Sequence, residues 1–157
     1  QLEEKQKLKA IYGMLTDKQL KKYFQKSMDL EGNTANHFAQ MLECRLDNVV
    51  YRLKFGGTIF AAQQLVAHGH VLVDGKKVDR RSFQVRPGMV VSIKDSARSN
   101  KHIREALEGT NRSIPEYLSS DPAHFSGQLL VLPAPDQMPW PIEIDLHTVC
   151  DFLSHSI

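Results

Sequence analysis

The sequence predicts an α+β fold: a small helical subdomain and a compact module of two helices with a small, mostly antiparallel sheet. Two observations support this prediction. Apolar residues recur at helical spacing through most of the chain up to His68. The period then changes to two around Asp74-Gly75, and Gly and Pro pairs separate the strands that follow.

The first part of the chain, residues 1–42, is predicted to be a helical subdomain. A first helix is expected over 2–12. A second helix is expected to begin at Thr16 or Asp17, because either side chain can accept a hydrogen bond from the first turn. A short third helix is expected over 34–42.

Two further helices are predicted at the start of the module. Apolar residues fall at i, i+3, i+4 and i+7 from Leu46, which is the pattern of one buried helix face. Gly56-Gly57 is expected to break this helix. Thr58 can cap the next helix, which is expected to run to about His68.

The strands of the module are predicted from the turns between them. Val71 and Val73 precede Asp74-Gly75, a strong signal for a two-residue β-hairpin. Pro87-Gly88 predicts another turn, and residues 89–93 form the next expected strand.

The last third of the chain alternates between weaker signals. A helix is expected over 99–108, and a short helical turn over 115–118, where Pro suits the first position. Strands are expected over 128–132 and, by alternation, over 142–146. Residues 148–154 have apolar side chains at helical spacing, which predicts a terminal helix.

The charge is distributed unevenly, although the net charge of the whole chain is only +2. Residues 1–44 carry seven Lys and six acids, a net +1. Residues 45–104 carry twelve Lys and Arg against four acids, a net +8, whereas residues 105–157 carry one Arg and eight acids, a net −7. Because cations that neutralise phosphates supply most sequence-independent affinity for nucleic acid, the middle of the chain is the expected contact region.

Catalytic, metal and membrane functions find no support in the sequence. There is no nucleophile elbow or phosphate-binding loop, and we expect neither a catalytic residue nor a cofactor. His68 and His70 are only two potential ligands, and no third is positioned to complete a metal site. Cys44 and Cys150 are the only cysteines, which favours a reducing, intracellular setting. No apolar run is long enough for a membrane span.

These observations predict that the module binds nucleic acid, and if that nucleic acid is RNA, the module would recognise it by its shape. A-form RNA hides the edges of its bases in the major groove, so a small rigid surface contacts mainly phosphates and ribose hydroxyls. The candidate RNA-binding residues are cationic, polar or aromatic side chains of the module and of the helix after it: Arg45, Tyr51, Arg52, Lys54, Gln64, His68, Lys76, Lys77, Arg80, Arg81, Arg86, Lys94, Lys101, His102 and Arg104.

Two features leave alternatives open. The lysines of the second helix, Lys18, Lys21, Lys22 and Lys26, either form a solvated face or contact RNA, because the neighbouring module is basic. Phe60 falls away from the apolar stripe of its helix, so it stacks on a base, touches a protein partner or is partly buried at the helix edge.

Several segments resemble one family of RNA-binding proteins. The module resembles that of small-subunit ribosomal protein four, also used by some RNA-modifying enzymes, through RLDNVVYRL, QQLVAHGHVLVDGKKV and VRPGMVVSI. The flanking segments resemble the ribosomal family and not the enzymes, through LEEKQKLKAIYG, IPEYLSSD, SGQLLVLP and TVCDFLS. An upstream segment, basic in the family and zinc-binding in some members, is expected to be missing, since the chain starts at Gln1 inside a helical pattern.

The resemblance implies a specific arrangement of domains. Residues 1–42 and 146–157 would form the helical subdomain, and the RNA-binding module of alpha-L type with its C-terminal extension would be inserted as residues 43–145. The family's terminal helix implies a protein interface at Asp151, Phe152 and Ser154.

The resemblance also implies a function. The chain would be a non-enzymatic primary binder of 16S-type ribosomal RNA that nucleates assembly of the small-subunit body and contributes to translational accuracy. Its implied partners are small-subunit proteins five and twelve, protein three at the messenger entry, and messenger RNA in members that repress their own synthesis. The implied location is the ribosome of the cytoplasm or of an organelle. An accessory factor for RNA modification or ribosome rescue is the alternative.

One departure from the family pattern limits the site assignment. Ile59 and Gln63 stand where the family usually has basic residues on the second module helix, so no RNA contact is assigned to either.

Overall fold

The computed structural model describes residues 2–109 and 111–156. The chain divides into a helical unit, Gln1–Glu43 with Ala134–Ile157, and a mixed unit, Cys44–Pro133. The predicted α+β class is confirmed. The helical unit includes residues 134–145, which the sequence-based division had given to the module.

The described residues contain seven α-helices and five β-strands. In chain order they are α1 (Leu2–Ile11), α2 (Asp17–Met28), α3 (Thr34–Glu43), α4 (Leu46–Arg52), α5 (Ile59–Ala67), β1 (Val71–Val73), β2 (Lys76–Lys77), β3 (Val90–Ile93), α6 (Lys101–Gly109), β4 (Leu118–Asp121), β5 (Ser126–Leu129) and α7 (Leu146–Ser154).

The helical unit is built on the apolar faces of α1, α2, α3 and α7. Phe24 and Phe38 meet edge to face, with ring centroids 5.9 Å apart, inside this core. Thr16 is the N-cap of α2: its Oγ accepts from the Gln19 N–H at 3.1 Å, and Gln19 Oε1 accepts from the Thr16 N–H at 2.9 Å. This reciprocal pair satisfies two backbone donors at the start of the helix. Of the two predicted caps, Thr16 is therefore the one used, and Asp17 is the first residue of α2.

A buried chain of polar groups connects three segments of the helical unit. The Trp140 indole N–H donates to the Tyr12 hydroxyl at 2.9 Å, and that hydroxyl donates to the Glu43 carboxylate at 2.6 Å. Tyr12 and Glu43 are almost fully buried. Because buried polar groups are costly to leave unsatisfied, these bonds stabilise residues 134–145 on the helical core.

The strand predicted over 142–146 was wrong. Ile144 is buried in the helical core and Ile142 is exposed, so their alternation reflects packing against helices and not a sheet. The Asp145 N–H donates to Glu4 Oε2 at 3.1 Å instead of to a strand. The Asp145 side chain accepts from the Thr148 N–H at 3.1 Å, which begins α7.

The mixed unit contains one antiparallel sheet with strand order β2-β1-β3-β5-β4. The predicted hairpin is confirmed, with Asp74 and Gly75 at φ 49° and 82° between β1 and β2. These positive values are those that a type I′ turn requires. The predicted strand over 89–93 is confirmed as β3.

Two strand assignments in the last third differ from the prediction. The turn after Pro115 exists, with the Leu118 N–H donating to the Pro115 carbonyl at 3.1 Å, but Leu118 then begins β4. Strand β5 covers Ser126–Leu129, because Leu129 pairs with Leu118 at the start of β4 and residues 130–132 extend past that partner.

Helices α4 and α5 pack on one hydrophobic core with the sheet. The four periodic residues from Leu46 are each at most 2% exposed, which confirms the predicted buried face. Thr58 caps α5, since its Oγ accepts from the Ala61 N–H at 3.0 Å. Phe60 is 55% exposed, so about half of its side chain is accessible to a base or to a protein partner.

Gly127 lies where the sheet packs against Leu53, the C-cap residue of α4. It pairs with Val91 on β3 and with Ser120 on β4, so it lies in the middle of the sheet. A Cβ at this position would overlap the Leu53 side chain and lie 2.8 Å from the Ser119 carbonyl oxygen. Since backbone on one side and a buried leucine on the other cannot both move away, only glycine fits.

We expect Gly127→Ala to lower the free energy of unfolding by about 1–3 kcal/mol, because the added methyl overpacks the core. Urea denaturation followed by circular dichroism measures this value. Gly109→Ala is the control, since a Cβ there meets nothing within 4 Å, and it should change the value by less than about 1 kcal/mol. Equal stability of the two variants would contradict the close packing at Gly127.

Candidate nucleic-acid interface

The two units carry opposite net charges. The mixed unit has thirteen Lys and Arg against eight Asp and Glu, a net +5. The helical unit has seven Lys against ten acids, a net −3. The excess of positive charge therefore lies on the unit that contains every predicted RNA-binding residue.

The arginine-rich loop between β2 and β3 is fixed to the start of α4. The Leu46 N–H donates to the Phe83 carbonyl at 2.8 Å, and the Asp47 N–H donates to the Arg81 carbonyl at 3.2 Å. These N–H groups belong to the first turn of α4, which has no helical acceptors for them. The loop is held by its backbone, while the side chains of Arg80, Arg81 and Arg86 stay exposed.

Arg45 lies inside the mixed unit and not on its surface. Its side chain is 3% exposed and pairs with the buried Asp47 carboxylate through two bonds, from Nε at 3.1 Å and from Nη2 at 2.9 Å. The same carboxylate accepts from the Asn48 N–H at 2.7 Å and from the Gln63 amide at 3.4 Å. Arg45 is the N-cap of α4, and its burial corrects the prediction that its side chain contacts RNA from the surface.

Tyr51 and Arg52 belong to a cluster with an arginine that the sequence analysis missed. The Arg112 guanidinium lies 3.8 Å from the centroid of the Tyr51 ring, and Arg52 lies 5.7 Å from it on the same ring. Arg112 also donates to the Tyr51 carbonyl at 2.7 Å and to the Gly56 carbonyl at 2.9 Å. Burial lowers the pKa of the Arg112 guanidinium, but an arginine stays charged at neutral pH.

Arg112 therefore stabilises the C-terminal end of α4, where carbonyl groups lack helical donors. One feature of the sequence could have drawn attention to Arg112. It is the single Lys or Arg among the acids of residues 105–157. Arg52 is 6% exposed, so it presents little surface to a ligand.

The β1–β2 hairpin presents Lys76 and Lys77 as exposed cations. Asp74 fixes the turn, since its carboxylate accepts from the Val90 N–H at 2.8 Å on the neighbouring strand. The aliphatic part of Lys77 packs on Gly69, where a Cβ would lie 3.2 Å from Lys77 Cδ. The hairpin thus holds two ammonium groups at a fixed place beside the end of α5.

The end of α5 carries polar and imidazole groups. Gln64 and His68 are exposed, whereas His70 is half-buried. The two imidazoles meet edge to face with centroids 6.1 Å apart. Burial of its ring lowers the pKa of His70, and the positive charge of Lys94 and the nearby His68 lower it further. Lys94 and Lys54 are each only partly exposed.

Helix α6 adds a second group of predicted residues. Lys101, His102 and Arg104 are all exposed at its start. The Lys101 ammonium lies 3.7 Å from the Glu105 carboxylate, and Arg104 donates through Nε to the Arg98 carbonyl at 3.1 Å. These contacts leave most of each cation accessible.

The predicted protein interface lies on α7 of the helical unit. Asp151 and Ser154 are exposed, and the Ser154 hydroxyl donates to the Asp151 carbonyl at 2.7 Å. Phe152 is half-buried, with the Lys5 ammonium 4.7 Å from its ring centroid. On α2, Lys18, Lys21 and Lys22 line one shallow depression with Gln25.

The described residues, 2–109 and 111–156, also bear on metal binding and membrane insertion. Within those ranges no group of three or more His, Cys, Asp or Glu is placed to hold a metal ion. None of the helices described there has the length and apolar character to cross a bilayer. Cys44 and Cys150 are buried and form no disulfide with each other, and burial raises the pKa of the Cys150 thiol to about 11.

A small sheet packed on two helices, with exposed cations on a rigid hairpin and loop, defines this unit as an RNA-binding module.

The S4 domain family matches residues 44–91, and the ribosomal protein S4/S9 N-terminal domain matches residues 1–43. Three relatives are named small ribosomal subunit protein uS4. That of Protochlamydia amoebophila is 75% identical, that of Chlamydia felis 55% and that of Chlamydia pneumoniae 53%, each over 99% of this chain and 76% of the relative. The chain belongs to the uS4 family of small-subunit ribosomal proteins.

We expect Asp47→Ala to lower the free energy of unfolding by about 3–5 kcal/mol, because it leaves the buried Arg45 guanidinium without its carboxylate. Adding Arg45→Met to that variant should recover part of the loss, since it removes the buried charge. Urea denaturation of the wild type, Asp47→Ala, Arg45→Met and the double variant gives a double-mutant cycle, which measures the coupling between the two side chains. Simple addition of the two single effects would show that the pair is not coupled.

We expect the stability of the protein to fall as the pH drops below about 6.5, in part through His70. The pKa of His70 is lowered in the folded state, so the unfolded state binds a proton more readily and gains population in acid. His70→Gln should therefore reduce the change in unfolding free energy between pH 7 and pH 5. Titration of the imidazole C–H signals by NMR should give a His70 midpoint below its ordinary value, and a midpoint above it would overturn the sign.

Proposed function

We propose that this protein is a non-enzymatic structural constituent of the small ribosomal subunit that binds 16S-type ribosomal RNA through its mixed unit. The observation that carries the proposal is the family membership of the whole chain together with the exposed cations on the hairpin, the loop and α6. The flanks match the ribosomal family as well as the module does, which disfavours an accessory factor for RNA modification or ribosome rescue.

The RNA contact divides the predicted residues into two roles. The exposed cations contact phosphate oxygens, with arginine forks suited to two oxygens and lysine acting as a point charge. They are Lys76, Lys77, Arg80, Arg81, Arg86, Lys101 and Arg104. Arg45, Arg52 and Tyr51 position the contact surface from inside the unit. Gln64, His68 and His102 contribute polar contacts, and Lys54 and Lys94 act at partly covered positions.

Recognition depends on the fixed distances between these cations. A hairpin, a loop and a helix start that do not move relative to their common core can match only a backbone of complementary shape. A junction of several RNA helices offers such a shape, and binding there would fix the angles between the helices. This is the physical basis for nucleating assembly of the small-subunit body.

The individual protein partners are inferred from the family resemblance and form part of the same proposal. Contacts with small-subunit proteins five, twelve and three would influence decoding accuracy and the messenger entry. We assign the contact with protein five to Asp151, Phe152 and Ser154, because Asp151 and Ser154 are exposed on α7 and Phe152 presents part of its ring. Binding to its own messenger RNA would use the cations of the mixed unit again.

Filter binding to the 5′-domain junction of 16S-type RNA tests the function, with an unrelated hairpin of equal length as the control. We expect the junction to bind more tightly at every salt concentration. We also expect Lys76→Ala with Lys77→Ala to reduce the slope of log K against log salt by about two, because two phosphate contacts are lost.

Lys7→Gln with Lys9→Gln is the matched control for charge. It removes the same two charges from α1, where Glu4 lies 2.9 Å from Lys7 and Asp17 lies 3.0 Å from Lys9. This control should leave the slope nearly unchanged. Equal affinity for the junction and the hairpin would argue against shape recognition, and an equal slope change in both double variants would place the contact elsewhere.

A further inference from the structure

The mixed unit contains a cleft of about 540 Å³ between the start of α5 and one side of α6. This volume lies within the range of sites that hold small organic groups. Its lining includes the apolar side chains of Phe55, Leu65 and Ile103, which are at most 9% exposed. These three side chains form an apolar floor of the cleft but expose little surface of their own, and the predicted RNA-binding residues Gln64 and His102 also line it.

The two glycines before α5 lie at the edge of this cleft. A Cβ at Gly56 would lie 2.7 Å from the Ala62 backbone nitrogen, so the chain passes close to the helix there. A Cβ at Gly57 would meet nothing within 4 Å, which means that open space adjoins it. Both glycines line the cleft.

Polar groups at the cleft can form hydrogen bonds with the edge of a heterocyclic ring. Gln64 is exposed, and a glutamine amide supplies one acceptor and two donors in a single plane. Asn100 Oδ1 accepts from the His102 N–H at 2.8 Å and from the Ile103 N–H at 3.3 Å, so its amide nitrogen remains as a donor. This set matches the mixed donors and acceptors of a nucleobase.

The charges select a base over a phosphate. Glu105 lines the cleft with its carboxylate 3.7 Å from the Lys101 ammonium, so it adds no positive charge to attract a phosphate inside, and it can accept a hydrogen bond from an exocyclic amino group. Lys101 and Arg104 lie beside it on α6 as exposed cations, where a phosphate can be bound outside the cleft. A neutral ring inside and its phosphates outside satisfy both sets of charges.

We propose that the cleft between α5 and α6 receives one unpaired adenine or cytosine of the bound RNA. The apolar lining covers the ring, and Gln64, Asn100 and Glu105 read its edge. Unpaired bases that are splayed out of a junction are the usual source of base-specific contacts to RNA. This inference rests on the proposed RNA-binding function and adds a base contact to the phosphate contacts.

A pair of matched leucine variants tests the cleft. Ala61 lines it on α5, so Ala61→Leu places three further carbons in the space for the base. Ala67 lies at the end of the same helix, is exposed and is absent from the lining, so Ala67→Leu makes the same change elsewhere. Thermal unfolding of both variants checks that the fold is retained.

The readout is modification of the junction RNA by dimethyl sulfate, which marks unpaired adenines and cytosines. We expect at least one such base to be protected by the wild type and by Ala67→Leu, and to become reactive in the complex with Ala61→Leu. Hydroxyl-radical cleavage of the RNA backbone should show the same footprint for all three proteins. We expect the affinity of Ala61→Leu to fall about tenfold, in keeping with the loss of one stacked base.

Two outcomes would overturn the inference while the proposed function stands. In one, the backbone footprint forms but every unpaired adenine and cytosine within it stays reactive. In the other, the protection persists with Ala61→Leu, which would place the base outside the cleft. Absence of any footprint with the wild type would overturn the proposed function itself.

An abasic nucleotide at the protected position provides an independent check. It should weaken binding of the wild type and of Ala67→Leu by the same factor and have no effect on Ala61→Leu, because the contact is already lost. Equal weakening of all three proteins would show that this base does not enter the cleft.

Discussion

Asp47 is buried at the start of α4, and the arrangement of the mixed unit depends on the bonds that this one residue makes. Its carboxylate binds Arg45 before the helix and Gln63 on α5, while its N–H donates to the Arg81 carbonyl in the loop. One side chain and one backbone group thus connect two helices and a loop. A buried charge tolerates few alternative partners, so these bonds favour a single arrangement.

This constraint separates the arginines by role. Arg45 and Arg112 hold the two ends of α4, through a carboxylate at one end and through carbonyl groups at the other. The exposed cations on the hairpin and the loop are left for a ligand. A surface whose geometry is set before binding loses little conformational entropy in the complex, and it rejects backbones with a different spacing of phosphates. Rigidity from the internal arginines therefore supports recognition by the external ones.

The sequence predicted most of the helices and the central hairpin, because each is specified by local chemistry. Thr16 and Thr58 cap helices through their own hydroxyls, and Asp74-Gly75 adopts the dihedral angles of its turn without help from distant residues. Strand β4 was missed, since its sequence Leu-Ser-Ser-Asp has no alternation and becomes a strand only by pairing with β5.

The site was harder to predict than the fold, because burial depends on distant contacts. Composition located the excess of positive charge in the mixed unit, but it could not tell an exposed arginine from one that pairs internally. Arg45 was predicted to contact RNA, whereas it precedes α4 and pairs with Asp47. Arg112 lies in an acidic segment, and only the folded chain brings it onto Tyr51. The apolar cleft between α5 and α6 likewise forms from residues that are far apart in sequence.

The low net charge of the chain does not oppose binding to RNA. At physiological ionic strength charges interact over roughly 8 Å, so a phosphate responds to the cations near it and not to the sum over the molecule. The acids of the helical unit offset the total while they leave the local potential around the hairpin and the loop positive. The same reasoning applies to Lys18, Lys21 and Lys22, which form a local positive patch within a unit of net charge −3. Under the proposed function, the placement of the cations on the frame of the mixed unit decides where RNA binds.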